Sequence, residues 1–340
     1  MLRRFLKIDF IFYVFSIIFL HALAIFLLLL FTHDYPALIS MAILAYTLGL
    51  RHAFDADHIA AIDNTTRKLI QQKQNSNGVG FFFSLGHSTI VFIMALLLAL
   101  SLGWAQTELP SLQKTGGVVG TIVSGTFLLF IGILNLIVLL DLKNIFIKIR
   151  NSEYNEKELE DTLQKRGFVA RFAKPLFRVI NKSWHVYPLG MLFGLGFDTA
   201  SEVALLAVSA GAIYSHVPIF GILSLPVAFA AGMSLMDTAD GIFMTKAYNW
   251  AFSTPIRKLY YNFTITSLSV VAALLIGVTE LLQILSTKLN LQSGFWKLIN
   301  GIDLSRFGYF LIVLFLATWV VSFALWKILK IETRWNAKTG

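Results

Sequence analysis

Long apolar runs separated by short polar connections dominate the chain, and the length of those runs sets the first inference. A helix needs about 20 apolar residues to cross the hydrocarbon core of a bilayer. Runs of that order fall at residues 10–32, 38–62, 79–104, 117–140, 187–212, 217–245, 261–285 and 306–328. They predict about eight transmembrane helices, four in an N-terminal half (1–140) and four in a C-terminal half (187–340). Between the halves, residues 141–186 form the one long polar stretch. Its "NSEYNEKELEDTLQKRG" mixes both signs and reads as a linker with some amphipathic helix. The expected fold class is an all-α polytopic membrane protein. The opening "MLRRFLKIDF" has the basic start of a signal peptide, but the apolar run behind it is long enough to span, so it reads as an uncleaved first helix.

Composition agrees with that pattern. Charged residues make up 14% of the chain, against about 25% in a soluble domain, too few to cover a water-exposed body. The net charge of +9 does not call for nucleic acid, because the basic residues follow the spans. Lys and Arg collect in the N-terminus, 63–78, 141–186, 246–260 and the end of the chain from Lys327; the exceptions are Arg51, Lys114, Lys288, Lys297 and Arg306. Basic residues mark cytoplasmic segments, so both termini and the 141–186 linker are expected on the cytoplasmic side of the cell membrane. The chain has no cysteine, which excludes disulfides, thiolate metal cages, iron–sulfur clusters and a Cys nucleophile.

Ionisable residues inside spans cost about 2.5–3.5 kcal/mol each on insertion scales and are functional candidates by default. Here they gather in four places: "RHAFDADHIAAID" in span 2, "FFFSLGHSTIV" in span 3, "LGFDTASEVA" in span 5 and "GMSLMDTADG" in span 6. At about 100° per residue, His52, Asp55 and His58 fall within one arc of span 2. Asp57 lies off it, so either it faces another neighbour or the helix is unwound there. Asp198 and Glu202 share a face of span 5, and Asp237 and Asp240 share one of span 6; His87 stands beside Ser84 and Ser88 in span 3. Imidazoles and carboxylates converging in a bundle suit a borderline divalent metal such as nickel, cobalt or zinc, with surplus Asp orienting His rings. Arg51 has the spacing to pair with Asp55, Asp63 reads as a helix-end residue, and His21 reads as polar glue. The methionines Met191, Met233, Met236 and Met244 read as packing.

Short echoes link the two halves. "FDADHIA" in span 2 resembles "FDTASEVA" in span 5, and "FSLGHS" in span 3 resembles "MSLMDT" in span 6. Spans 2 and 5 run in opposite directions, which is the pattern of an inverted repeat with a site at the midplane. Other readings of the same residues exist. A bis-His haem protein would use His58 and His87 but leaves Asp198, Glu202, Asp237 and Asp240 unexplained. A membrane metalloenzyme lacks its signals, since the seven His are mostly unpaired and no H-E-x-x-H occurs.

At these residues the chain resembles the nickel–cobalt transporter family of secondary permeases. Four motifs carry the resemblance in order: Arg51–Ile59, Phe82–Val91, Leu195–Val203 (with Ser201 and Val203 as mild departures) and Gly232–Asp240. It implies high-affinity uptake of Ni²⁺ or Co²⁺ as transported substrate, with no resident cofactor and no enzymatic activity. By motif position, His52, Asp57 and His58 are implied to be indispensable; Asp55, His87, Asp198, Glu202, Asp237 and Asp240 follow as further metal-site residues. Phe54 adjoins the set and is a candidate for tuning nickel against cobalt. An exporter of the same metals is the rival within this class. Exporters often carry a His-rich cytoplasmic loop, and His185 is the one His in 141–186. Protons compete with metal for imidazole, so uptake is expected to fall towards acid pH.

Overall fold

The computed structural model describes residues 2–100, 102–151, 180–196, 200–251 and 255–328. Within them the regular structure is helical: α1 (Leu2–Leu29), α2 (Ala37–His52), α3 (Ala56–Gln71), α4 (Val79–Leu100), α5 (Leu102–Asn151), a 3₁₀ turn (Ser183–His185), α6 (Val186–Gly194), α7 (Ala200–Tyr214), α8 (Ile219–Ala251), α9 (Pro255–Lys288), α10 (Phe295–Asn300) and α11 (Leu304–Ile328). Five of these hold segments long and apolar enough to cross a membrane, at Ile11–Leu29, Val79–Leu100, Thr115–Ile137, Ile219–Trp250 and Phe263–Lys288. Helices α2 and α3 meet the same test only as a pair, bent by 54° at a short break. The other two expected spans coincide with shorter apolar helices, Ser201–Tyr214 and Phe307–Val321. The chain is a multi-pass membrane protein.

Helix α8 is the hub, packing on α1, α2, α3 and α4, while α5 and α9 pack extensively on each other. Helix association within lipid gains little from hydrophobicity and depends on close backbone approach. Gly49 shows how close: a Cβ there would stand 2.1 Å from the carbonyl oxygen of Phe229, so only glycine lets α2 lie against α8. Apolar side chains point outwards as well as inwards. Ile11, Phe15, Ile18 and Phe19 on α1 are all more than half exposed, the surface expected of a helix facing lipid.

Three expectations change here. The fourth span was expected to start at 117 and end at 140, but α5 is one continuous helix from Leu102 to Asn151; polar residues at both ends shorten the apolar run without ending the helix. Span 2 was expected to end at 62, yet α3 continues to Gln71. Residues Asp63 to Lys68 are all buried, because α5, α8, α9 and α11 surround α3. Arg51 is exposed and forms no ion pair with Asp55, which turns to His52 instead. Most of the expected linker (152–179) and Asp198 lie outside the described residues.

Candidate metal centre

The break between α2 and α3 builds the site. Helix α2 ends at His52, Phe54 and Asp55 close two tight turns back onto Arg51 and His52, and α3 starts at Ala56. Asp55 is the N-cap residue of α3, with extended backbone (φ −66°, ψ 141°), and yet its side chain caps nothing. An N-cap Asp ordinarily accepts from an amide of the first turn. Here its Oδ2 lies 2.8 Å from Nδ1 of His52. Asp57, in the first turn of α3, accepts the His58 amide at 2.9 Å. The interruption answers the helical-wheel question raised by Asp57: the wheel does not run unbroken through this stretch.

Three imidazoles then converge from two spans. His52, His58 and His87 are each 2% exposed or less, and one ligand nitrogen from each lies within 4.8 Å of the other two. Their ring centroids are 4.6, 4.6 and 4.8 Å apart, nearly an equilateral triangle. Among the described residues this is the one group of three or more His or acidic side chains so close together. Phe83 packs edge-on to His58 at 4.8 Å, and Phe229 lies 5.6 Å from His52. Apolar walls thus hold two of the rings.

Carboxylates orient the triangle. Asp55 sits on Nδ1 of His52 at 2.8 Å, and Asp237 Oδ2 on Nδ1 of His58 at 3.3 Å. At His58, with Nδ1–H donating to Asp237, the neutral ring carries its lone pair on Nε2, the arrangement in which a carboxylate fixes the tautomer of a metal-binding histidine. Nε2 of His58 is buried and has no hydrogen-bond partner. Nε2 of His87 is shared, 2.9 Å from Nε2 of His52 and 2.8 Å from Oε1 of Glu202. An orphaned lone pair and a crowded pair of nitrogens are costly when buried; a divalent ion between the rings would satisfy both.

Of the sequence-derived set, the structure brings His52, His58 and His87 together and places Asp55, Glu202 and Asp237 against them. Asp57 is set at the start of α3, and Asp240 lies one turn beyond Asp237 with Oδ2 buried and without a hydrogen-bond partner. His21 bonds Ile17 O at 2.8 Å and lies 3.2 Å from Tyr46 Oη, the role of polar glue. A haem does not fit, since rings 4.8 Å apart leave no room for a porphyrin between His58 and His87. Asp63 was expected at a helix end, but it lies inside α3, fully buried with Asn64, Arg67, Asn135 and Tyr248; the spacing of Asp63 and Arg67, four residues apart on one helix face, was the signal of that group.

Comparison with known proteins adds an independent line. Residues 38–325 match the NicO family model, described as high-affinity nickel-transport protein. The chain is 56% identical over 324 residues to the nickel transporter NixA of Staphylococcus aureus, covering 95% of this chain and 96% of that one. It is 53% identical over 322 residues to the high-affinity nickel-transport protein NixA of Helicobacter pylori, covering 93% and 96%. The cobalt transport protein NhlF of Rhodococcus rhodochrous is 44% identical over 268 residues, covering 77% and 76%. No solved structure matches.

Proposed function

Because the chain belongs to the NicO family of high-affinity nickel-transport proteins, we propose that it imports Ni²⁺, with Co²⁺ as a second substrate, through the imidazole triangle at the α2–α3 break. The observation that carries this reading is the buried triad with two of its rings turned by carboxylates. His52, His58 and His87 supply nitrogen ligands and Glu202 an oxygen. Asp55 and Asp237 hold ring orientation. Asp57, Asp198 and Asp240 add the negative potential that draws a dication out of water. The family and the printed names of the relatives are those of transporters, and no enzymatic step is assigned to this chain.

The ion enters hydrated from outside, exchanges water for imidazole and carboxylate, and leaves to the cytoplasm after the two halves rock about the site. Mixed nitrogen and oxygen ligation without thiolate binds a borderline metal without trapping it. An inside-negative potential suffices in sign: at 100 mV a dication gains about 4.6 kcal/mol, enough for roughly a thousandfold accumulation. The cell (cytoplasmic) membrane, with both termini cytoplasmic, is the placement that the Lys and Arg distribution supports.

The test is ⁶³Ni²⁺ uptake into cells expressing the chain, beside His52→Ala and a Co²⁺ competition arm. Uptake by the parent protein that is lost in the variant at equal membrane expression supports the reading. Faster loss of preloaded metal, or no difference from cells lacking the chain, rejects it.

A further inference from the structure

Among the described residues, the imidazole triad leaves two fully buried charges unused. Asp63 and Arg67 both have 0% exposure. They are four residues apart on α3, the spacing of a helical ion pair. They nevertheless form no ion pair. Asp63 accepts from the hydroxyl of Tyr248 through Oδ1 and from Ser269 Oγ at 2.6 Å through Oδ2, so both oxygens are held by α8 and α9. Arg67 donates from Nη2 to Asn64 Oδ1 at 2.7 Å, and Asn135 donates to the same oxygen at 2.7 Å. Its Nε and Nη1 are buried without a partner.

A buried carboxylate and a buried guanidinium held side by side yet apart is an expensive arrangement. It makes sense where the carboxylate must be open to another cation for part of a cycle. Further carboxylates stand on α8, the helix packed against α3. Asp237 touches His58, Asp240 lies one turn further along α8, and its neighbour Gly241 faces Ile62, the residue before Asp63. The three carboxylates thus lead away from the triad along the packed faces of α3 and α8. Under the positive-inside orientation this direction is cytoplasmic.

We propose that Asp63, reached from the triad past Asp240, is the station from which the dication is released, and that Arg67 is its tethered counter-cation. Once the ion leaves, the guanidinium swings from Asn64 and Asn135 onto Asp63. The emptied carrier then turns back without an unpaired carboxylate in its interior. This rests on the import reading above.

The test separates the return of the empty carrier from transport as such. Purified protein in proteoliposomes is assayed for net ⁶³Ni²⁺ uptake and for exchange of external ⁶³Ni²⁺ against internal unlabelled Ni²⁺. Arg67→Gln is expected to lose net uptake by about tenfold or more while keeping exchange within about twofold, with Arg67→Lys recovering net uptake. Asp63→Asn is expected to lose both, while Ni²⁺ binding to the detergent-solubilised protein, held by the triad, persists. Equal loss of uptake and exchange in a monodisperse Arg67→Gln, or parent-like behaviour of either variant, overturns the proposal. Arg67→Met, an apolar replacement of similar length, guards against a folding defect. If both Arg67→Gln and Arg67→Met fail to fold, Arg67 is a structural residue and the proposal falls. Neither uptake nor exchange by the parent protein would instead sink the import reading itself.

Discussion

Nε2 of His52 and Nε2 of His87 lie 2.9 Å apart, brought together from helices 35 residues distant in the chain. A neutral ring pair can hold that distance only if one nitrogen donates a proton to the other. The same distance suits two nitrogens each about 2 Å from one metal and at right angles to each other. Right-angled ligation occurs in square-planar and tetragonal sites, geometries that Ni²⁺ shares with Cu²⁺. An ion held by both rings would find that spacing already formed.

Removing either nitrogen breaks this preformed pair. His52→Ala and His87→Ala are each expected to lower ⁶³Ni²⁺ uptake at limiting metal by about 100-fold or more, beyond the 10–100-fold typical of an orienting partner. The check is initial rate against nickel concentration at matched membrane expression. A His87→Ala variant with unchanged apparent KM would place the ion elsewhere.

Asp55 offers a sharper contrast because it occupies an N-cap without capping. Losing a working N-cap costs about 1 kcal/mol. Asp55→Ala is therefore expected to leave thermal stability in detergent nearly unchanged while raising the apparent KM for Ni²⁺ by about 10–100-fold through the unrestrained His52 ring. A large fall in Tm without a KM change would reverse the assignment.

The close approach of α11 to the helix break can be tested at one atom. A Cβ on Gly308 would stand 1.6 Å from Phe54 O, whereas one on Gly211 meets nothing within 4 Å. Gly308→Ala must push α11 off the break and is expected to cost about 1–3 kcal/mol or more, seen as a lower Tm and reduced uptake. Gly211→Ala, in the interior of α7, is expected to be neutral or to stabilise by a few tenths up to about 1 kcal/mol. Equal behaviour of the two variants would contradict the packing.

The imidazole centre was legible in the chain and the Asp63 group was not, for one physical reason. His52, Asp55 and His58 interrupt an apolar run, so each stands out as a charge where lipid is expected, and the three-residue spacing of His52 and Asp55 survives because the break falls between them as two tight turns. Asp63 and Arg67 sit in "DNTTRK", a stretch polar enough to read as the loop after a span. They are buried because Tyr248, Ser269 and Asn135 close over them from α8, α9 and α5. Those contacts join positions 71 to 206 residues apart, which no local pattern encodes. The length of α5 escaped for a related reason: hydropathy marks where lipid begins and ends along a helix, and the backbone hydrogen bonds continue beyond it.

Phe54 adjoins the ligands in sequence, which made it a candidate for selecting nickel against cobalt. In the fold its ring stacks on Tyr309 of α11, 5.1 Å between centroids at 18°, and its carbonyl faces Gly308. Both contacts tie the helix break to the last helix. An aromatic pair of this kind is worth about 0.5–1.5 kcal/mol beyond its buried area. The expectation is that Phe54→Leu and Tyr309→Leu lower Tm by similar amounts and that the double variant falls short of their sum, the signature of a shared contact. Any change in the ratio of Ni²⁺ to Co²⁺ uptake should then be equal in the two single variants, because both act on the break rather than on the metal. A ratio that moves in Phe54→Leu alone would return Phe54 to the site as a selectivity residue.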